Sequence, residues 1–289
     1  MAVWYTDGAL IMGAVAYDPK VVAIWDGFRD YFERRGLEFD YVLYSNYERQ
    51  VAAHVLGYVD VAWNSPLAWL ETERLARLMG REARALCMRD TDRDLTSVIV
   101  TRADAPPRRL EDLRGTRVGV GARDSPQATL IPLGLLAEAG LRPDQDVEVV
   151  PFDVMPGKHG DHVGGERDAV QALLRGEVEA ACLIDSNLLA FAQEGTLRPG
   201  STTVLARTPP YDHCTFTVLD GVKPELVERF RELLLGMSYA DPAVRPLLDL
   251  EGLKAWQPGR TSGYRQLQAA IAAFGTVDAF VEQLGARCV

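Results

Sequence analysis

The stretch RVGVGARDSPQATLIPLGLL, residues 117–136, decides the fold of this chain. It starts as an apolar strand and ends as an apolar helix, with small and hydrogen-bonding residues between them. Ser125 suits the N-cap of that helix, and Pro126 suits its first position. In open α/β sheets, ligands bind where strands end and helices begin, so this polar elbow predicts a ligand site.

The same order of strand, polar elbow and helix occurs nearer the N-terminus. The apolar run 10–17 predicts a strand, 21–36 an amphipathic helix ended by glycine, and 39–44 and 59–63 two further strands. A second elbow, NSP at 64–66, opens the next helix. Because strands and helices alternate, the sequence predicts an α/β fold with a parallel sheet and helices on both faces.

The alternation restarts after a proline-rich segment near residue 103, and the pattern changes again near residue 205. We therefore expect two lobes, with the second inserted into the first. Lobe 1 comprises residues 1–102 and 206–289, and lobe 2 comprises residues 103–205. With one elbow in each lobe, the two would lie on opposite sides of a ligand cleft.

Composition narrows the class of partner. The 289 residues carry a net charge of −10, from 31 basic and 41 acidic side chains, which argues against nucleic acid and anionic membranes but not against an anionic small ligand. No stretch approaches the roughly 20 apolar residues of a membrane span. The N-terminus lacks a basic n-region, which predicts a cytoplasmic protein, or a periplasmic or cell-surface one if a leader was removed.

Polar side chains near predicted strand ends are the candidate ligand contacts. Arg123 is the strong cation of the 117–136 elbow, so it is the preferred partner for an anionic ligand. Core packing, turn formation and helix capping are the alternative roles for these residues. The candidate ligand-binding residues are Tyr17, Asp18, Tyr47, Asn64, Ser65, Arg123, Ser125, Gln127, Thr129, Asp185, Ser186 and Tyr211.

Histidines supply the candidates for metal binding or catalysis. His159 and His162 are three residues apart in a glycine-rich loop, and His213 stands beside Cys214. Such side chains can bind zinc, but the chain offers no second closely spaced ligand pair. We therefore predict no metal or other cofactor, with these three histidines as the candidates if a metal binds. Hydrogen bonding to the ligand and simple solvation are the alternatives.

Several segments together resemble a known family. They include IMGAVAYDP, GYVDVAW, LEDLRGTRVGV, RGEVEAACLID and EGLKAWQPGRTSGYRQL. From about residue 10 to the C-terminus the chain resembles the phosphonate- and phosphate-type substrate-binding proteins of ABC transporters. The resemblance implies the type 2 periplasmic binding protein fold, two lobes that close on a ligand, and a monomer. If the protein is exported, it also implies a transporter permease as partner.

The elbow departs from that family at one point. Phosphonate binders typically carry Ser-Thr-Ser-Gly at this helix start, whereas this chain has Ser125, Pro126, Gln127 and Ala128. Proline supplies no N–H, so a phosphate-like group would lose a donor, although Gln127 and Thr129 could compensate. A carboxylate or a neutral polar or aromatic molecule is therefore an equally good candidate ligand.

Three functions fit these observations: a solute-binding protein, an enzyme, and a cytoplasmic ligand sensor that transmits closure to a partner, although nothing in the sequence identifies such a partner. The first is a solute-binding protein that closes two lobes on a small polar or anionic ligand. The alternative is a cytoplasmic enzyme on the same fold, a lyase or biosynthetic enzyme acting on a small carboxylate or heteroaromatic substrate. In that case His162 or His213 would be the general acid or base, because a neutral imidazole exchanges protons near neutral pH.

Overall fold

The computed structural model describes residues 8–105, 107–155, 157–160 and 165–273. The chain divides into two compact units. The first unit contains Met1–Arg93 and Asp212–Ser262, and the second contains Asp94–Tyr211 and Gly263–Val289. Each unit has its own α/β sheet, as the alternation of strands and helices predicts. The sheets are mixed rather than parallel, because the strands Ser97–Arg102 and Thr215–Leu219 run antiparallel to their neighbours.

The strands and helices follow each other along most of the chain. The strands are β1 (Leu10–Val15), β2 (Phe39–Tyr44), β3 (Val61–Asn64), β4 (Ala83–Arg89), β5 (Ser97–Arg102), β6 (Arg117–Val120), β7 (Glu148–Pro151), β8 (Ala180–Ile184), β9 (Thr202–Arg207), β10 (Thr215–Leu219) and β11 (Trp256–Pro258). The helices are α1 (Lys20–Glu33), α2 (Tyr47–Val55), α3 (Pro66–Leu78), α4 (Ile131–Glu138), α5 (Glu166–Arg175), α6 (Asp185–Gln193), α7 (Pro224–Leu235), α8 (Arg245–Glu251) and α9 (Arg265–Ala273).

The first sheet has the strand order β11–β4–β10–β3–β1–β2. Strands β1, β2 and β3 are parallel, and β10 is antiparallel to both β3 and β4. Aromatic side chains fill its core. Phe216 of β10 contacts Trp63 and Trp256, with ring centroids 4.7 and 5.3 Å apart. Large apolar rings of this kind contribute much of the free energy of burial.

Helix α2 contributes a buried histidine to the first unit. His54 is 1 % exposed. Burial lowers its pKa to about 4, because the charged imidazolium loses its hydration. The histidine is therefore neutral in the folded protein at physiological pH.

The second sheet has the order β7–β6–β8–β5–β9, with β6 parallel to β7 and β8, and β5 antiparallel to β8 and β9. Helices cover both faces. Val98 and Val100 of β5 belong to one apolar cluster, and Ile99 between them belongs to the other. A strand buried on both faces is apolar at every position, as SVIVT of β5 nearly is.

The unit boundaries differ from the crossings predicted near residues 102 and 206. Strand β5 pairs with β8 and β9, so the chain enters the second unit before β5, and the proline-rich segment is a loop inside that unit. Helix α9 also belongs to the second unit. It packs closely on α4, since a Cβ at Gly134 would lie 2.7 Å from the Cβ of Ala270.

Within the described residues, no helix is both long enough and apolar enough to span a membrane.

Candidate functional site

In the second unit, the ends of β6 and β8 lie at one edge of the sheet. These two strands are parallel, and Ser97 at the start of β5 pairs with Ile184 at the end of β8. The elbow after β6, the residues after β8, and Ser97 therefore share one side, which we call the second carboxyl edge. Ligand sites of open α/β sheets lie at such edges.

The elbow is built as a π-helical turn, Pro126–Leu130, rather than as the first turn of an ordinary α-helix. Pro132 has no N–H, so it cannot donate to the carbonyl of Ala128 four residues before it. That carbonyl instead accepts from the N–H of Gly121 at the end of β6, at 3.1 Å. This hydrogen bond joins the end of β6 to the start of the helix and fixes the backbone conformation of the elbow.

Ser125 caps this turn, as the sequence predicts. Its Oγ accepts from the N–H of Ala128 at 3.1 Å, and its side chain is fully buried. A serine hydroxyl accepts with its lone pairs and still has one proton to donate. Thr129 is also buried, but its Oγ1 donates to the carbonyl of Ala122 at 2.7 Å. Thr129 therefore stabilises the elbow with that proton.

A chain of buried hydroxyls supports the elbow from β5. Ser97 Oγ donates to the carbonyl of Gln127 at 2.5 Å, and Tyr211 Oη lies 2.6 Å from Ser97 Oγ. Since Ser97 has one proton and gives it to Gln127, Tyr211 is the donor in the second bond. Burial raises the pKa of Tyr211 well above its usual range, so the phenol keeps that proton. Tyr211 and Ser97 thus position the backbone of Gln127.

The described part of the glycine-rich loop, residues 157–160, lies against the same elbow. Gln127 Nε2 donates to the carbonyl of Gly160 at 2.7 Å. Gly160 has a φ of +70°, and a Cβ there would lie 2.3 Å from Ser125 Oγ. Asp124 is 5 % exposed, and its Oδ2 accepts from the N–H of Gly157 at 2.7 Å. Only glycine at 160 allows the loop to approach the serine this closely.

Acidic groups occupy the part of the edge that follows β8. Glu166 is buried and accepts from the N–H of Ile184 at 3.0 Å and from Asn187 Nδ2 at 2.5 Å. Of the two predicted contacts here, Asp185 forms an ion pair with Arg207, and Ser186 is exposed. Their roles as ligand contacts stay predictions.

Arg123 does not have the free charge that the sequence led us to expect. It is exposed, and its backbone N–H and Nε donate to the two carboxylate oxygens of Asp153, at 2.9 and 3.0 Å. A cation already paired with an acid offers less attraction to an anionic ligand. Its pairing partner lies thirty residues further along the chain.

The first unit has a corresponding carboxyl edge, where β1 and β3 end and β10 begins. Asn64, at the end of β3, is fully buried. Its Oδ1 accepts from Gln50 at 2.8 Å, and its Nδ2 donates to Thr217 and Thr72, at 3.0 and 3.2 Å. Because both ends of the amide have partners inside the core, Asn64 contributes to the packing of this unit.

The other predicted contacts of the first unit fall into two groups. Ser65 and Tyr47 are buried, and Ser65 caps α3 by accepting from the N–H of Ala68 at 3.2 Å. Tyr17 is half-buried against the apolar core, and Asp18 is exposed and accepts from the N–H of Lys20 at 2.8 Å. The structure brings Tyr17 and Asp18 to the surface after β1, where their role in binding stays a prediction.

A buried cluster of charges completes the first carboxyl edge. Arg89, at the end of β4, donates to both carboxylate oxygens of Asp92, at 2.5 and 2.9 Å, and to Glu251 at 3.2 Å. Burial opposes the ionisation of Asp92, but the charge of Arg89 holds the pKa of that carboxyl well below its usual range. Nearby, Asp212 is paired with Arg260 through two bonds of 2.6 Å.

Of the three predicted histidines, His213 joins this cluster. Its Nδ1 lies 3.6 Å from Asp92 and 3.1 Å from the Sγ of Cys214. His159 is buried in the second unit, and His162 lies outside the described residues. The ligand atoms of Asp92, His213 and Cys214 lie within 4.8 Å of one another. The role of His213 as a catalytic acid or base stays a prediction.

Sequence reasoning did not single out Ser97, Asp124, Glu166, Arg89 or Asp92. The partners of Ser97, Asp124 and Glu166 are distant in the chain, as for Ser97 with Gln127 and Tyr211. One signal was available for the charged residues. Arg89 ends the strand β4, and Asp92 follows three residues later. Buried charges at a strand end require partners.

Comparison with known proteins identifies the family. A family model described as the periplasmic phosphonate substrate-binding protein of ABC transporters matches residues 13–264. The chain belongs to this family. It is therefore a solute-binding protein of the phosphonate-binding family, which confirms the resemblance seen in the sequence.

Solved structures agree on the fold. PhnD1 from Prochlorococcus marinus, solved in complex with methylphosphonate, is 15% identical and has a TM-score of 0.69, covering 93% of this chain and 99% of the other. XAC2383 from Xanthomonas citri, solved bound to ATP, is 18% identical and has a TM-score of 0.69, covering 96% and 98%. At these identities the likeness shows the type 2 periplasmic binding protein fold alone.

One curated relative is a sensor kinase rather than a component of a transporter. The chain is 28% identical over 194 residues to the tetrathionate sensor histidine kinase TtrS of Salmonella typhimurium. The match covers 63% of this chain and 29% of the relative. The chain therefore corresponds to less than a third of that kinase.

Proposed function

We propose that this solute-binding protein takes a small solute with a singly charged anionic or uncharged polar end group, held by neutral donors at the second carboxyl edge. The observation that carries the proposal is the geometry of Ser125. Its oxygen caps the π-helical turn, and among the described residues no acceptor takes its proton, which is therefore left to donate. An elbow that fixes one donor in a buried place offers a preorganised contact for an acceptor on the solute.

The charges around Ser125 favour a low charge on the solute. Asp124 and Glu166 are buried at this edge, whereas Arg123 and Arg207 are exposed and paired with acids. Pro126 also removes a backbone donor from the elbow. A doubly charged anion would be repelled by the buried carboxylates, and the neighbouring arginines Arg123 and Arg207 are already paired with acids. A carboxylate, a sulfonate or a phosphonate monoester suits this edge better than a phosphate dianion.

The proposed roles differ among the predicted residues. Ser125 and the amide of Gln127 contact the end group of the solute. Thr129, Ser97 and Tyr211 position the elbow through their bonds to its backbone. These positioning residues keep Ser125 and Gln127 in place before the solute arrives, which lowers the entropy lost on binding.

Isothermal titration calorimetry tests the proposal. Methanesulfonate, acetate, methylphosphonate and inorganic phosphate are titrated at alkaline pH, where methylphosphonate and phosphate are both doubly charged. We expect the two dianions to bind less tightly than the two monoanions, methanesulfonate and acetate. We expect Ser125→Ala to weaken the best of them by about 10- to 100-fold, since a hydrogen bond to a charged group contributes about 1.5–3 kcal/mol.

Arg123→Ala is the matched control, because it removes the nearby exposed cation and leaves the elbow intact. We expect it to change affinity less than Ser125→Ala does. Tightest binding of phosphate, or a larger loss in Arg123→Ala than in Ser125→Ala, would show that charge rather than neutral donors holds the solute. Thermal unfolding of each variant verifies that it is folded.

We further propose that the protein works outside the cytoplasmic membrane as a monomer and delivers its solute to an ABC transporter permease. The periplasmic description of the family supports this location. Size-exclusion chromatography with light scattering gives the oligomeric state. Uptake of the best-binding solute by cells with and without the protein tests delivery, and equal uptake would contradict it.

The similarity to TtrS supports a second candidate, recognition of a sulfur oxyanion as part of a sensory assembly. Tetrathionate therefore belongs in the calorimetric panel. Tight, saturable binding of tetrathionate, with no binding of the phosphonate or the other anions, would favour this candidate over delivery to a transporter.

A further inference from the structure

Three cysteines of the described chain have different surroundings. Cys87 of β4 and Cys182 of β8 are fully buried, and burial raises the pKa of each thiol to about 12. Cys214 precedes β10 and is 2 % exposed, but it stands in the polar cluster of the first carboxyl edge. The first two thiols are therefore inert, whereas the third has polar neighbours that can change its chemistry.

The nearest of these neighbours is an imidazole. His213 Nδ1 lies 3.1 Å from the Sγ of Cys214, within reach of proton transfer. The backbone N–H of His213 donates to the carbonyl of Asp92 at 2.8 Å, and the Asp92 carboxylate lies 3.6 Å from Nδ1. A proton that moves from the thiol to the imidazole creates an imidazolium that faces this carboxylate. The carboxylate thereby stabilises the ion pair of imidazolium and thiolate.

Arg89 adds a fixed positive charge to the cluster. It pairs with Asp92 and Glu251 and also interacts electrostatically with Cys214. The same attraction favours the thiolate form of Cys214. The reactive cysteines of proteins lie in electropositive, partially exposed surroundings. Cys214 and His213 are 2 % and 7 % exposed, whereas Cys87 and Cys182 are fully buried.

A bound metal ion explains the cluster less well. Asp92 already gives both carboxylate oxygens to Arg89, so a cation would compete with a buried guanidinium. Among the described residues that leaves His213 and Cys214 as ligands, two fewer than the four of a structural zinc site.

We propose that Cys214 is a nucleophilic thiol, activated by His213, that exchanges with small sulfur electrophiles of the disulfide and thiosulfonate class. The thiol proton moves to His213 Nδ1, and the thiolate attacks the divalent sulfur of the electrophile. A new S–S bond forms to Cys214 as the old S–S or S–SO₂ bond breaks, and the electron pair leaves on a thiolate or a sulfinate. This modification site goes beyond solute binding and does not depend on it.

Labelling of the native protein with limiting methyl methanethiosulfonate tests this assignment, with each cysteine peptide followed by mass spectrometry. We expect Cys214 to react at least about tenfold faster than Cys87 and Cys182, which act as internal controls in the same molecule. The unfolded protein, in which the cysteines react alike, gives the reference rates. Similar rates for the three thiols in the native protein would overturn the proposal without any need for a variant.

His213→Asn is the matched variant. Its side-chain amide can occupy the position of Nδ1 and hydrogen-bond there, but it cannot accept the thiol proton at neutral pH. We expect labelling of Cys214 to slow by about tenfold, with unchanged rates at Cys87 and Cys182. An unchanged rate at Cys214 in folded His213→Asn would overturn the role of the imidazole. A stoichiometric metal in the purified protein that Cys214→Ser removes would assign the cluster to a metal site instead.

Discussion

At the first carboxyl edge a buried arginine pairs with two buried carboxylates. Around Ser125 at the second edge the buried carboxylates of Asp124 and Glu166 accept instead from backbone and amide N–H groups, and hydroxyls and amides surround them. Arg89, Asp92 and Glu251 neutralise one another in the first unit. In the second unit Ser97, Tyr211 and Gln127 are joined by neutral hydrogen bonds. Both arrangements satisfy buried groups, which would otherwise cost free energy.

The difference separates groups that maintain the fold from groups that can serve a ligand. A buried arginine with two carboxylate partners has few N–H groups left to bind a ligand. Removal of any one of the three charged groups leaves an uncompensated buried charge. A serine that caps a turn has used only its acceptor and can still donate. The sharpest tests of this comparison therefore remove one group from each edge.

Replacement of Arg89 has the largest expected effect. Arg89→Met leaves Asp92 and Glu251 buried without their cation, so we expect a loss of about 3–5 kcal/mol in the free energy of unfolding. Urea denaturation followed by circular dichroism measures it. Arg123→Ala is the control from the second unit, because its ion pair is exposed and should contribute less than about 1 kcal/mol. Equal losses in the two variants would mean that burial does not distinguish the two ion pairs.

Low pH should destabilise the first unit, because the buried imidazole of His54 must then take up a proton. The folded pKa of about 4 lies below the ordinary value of 6.5, so the unfolded chain binds the proton more readily. The stabilisation by the neutral histidine is fully present above pH 6.5 and is lost as pH falls from 6.5 towards 4. The loss amounts to about 3 kcal/mol. Urea denaturation across this range should show a flatter pH dependence for His54→Gln than for the parent chain, and parallel curves would contradict the assignment.

Local sequence patterns predict much of the fold at the second edge. The run 117–121, the Ser125 cap and the following helix appear where the pattern places them, because each depends on neighbours in the chain. The unit boundaries depend on pairing between distant strands. Nothing in SVIVT reveals that β5 joins β8 rather than the first sheet.

The same limit applies to the site. The cap of Ser125 is local and could be predicted, whereas the pairing of Arg123 with Asp153 spans thirty residues and could not. Asn64 stands at a predicted strand end, yet its partners include Thr217, 153 residues away, which make it part of the core. Residue type and position indicate where polar groups gather, but tertiary contacts decide which of them remain available.

A methyl group at Gly160 tests how closely the glycine-rich loop approaches Ser125. In Gly160→Ala the new Cβ would meet Ser125 Oγ at 2.3 Å, and alanine disfavours the positive φ. We expect a loss of about 2–3 kcal/mol in the free energy of unfolding, together with weaker solute binding. Gly140→Ala is the control, since its φ is +78° and a Cβ there meets nothing within 4 Å. It should cost only the backbone strain, about 1 kcal/mol, and equal losses would mean that the loop does not press on the serine.

The two Ser-Pro caps provide the most closely matched comparison and the smallest expected effect on stability. Ser65 caps Ala68 at 3.2 Å and Ser125 caps Ala128 at 3.1 Å, each before a proline. Replacement of either serine by alanine should cost about 1 kcal/mol of unfolding free energy, because each turn loses one capped N–H. Isothermal titration calorimetry should then distinguish the two variants by their affinity for the solute, since only Ser125→Ala is expected to weaken solute binding. If Ser65→Ala weakened binding equally, the first carboxyl edge would also hold the solute, and the division between a structural edge and a binding edge would fail.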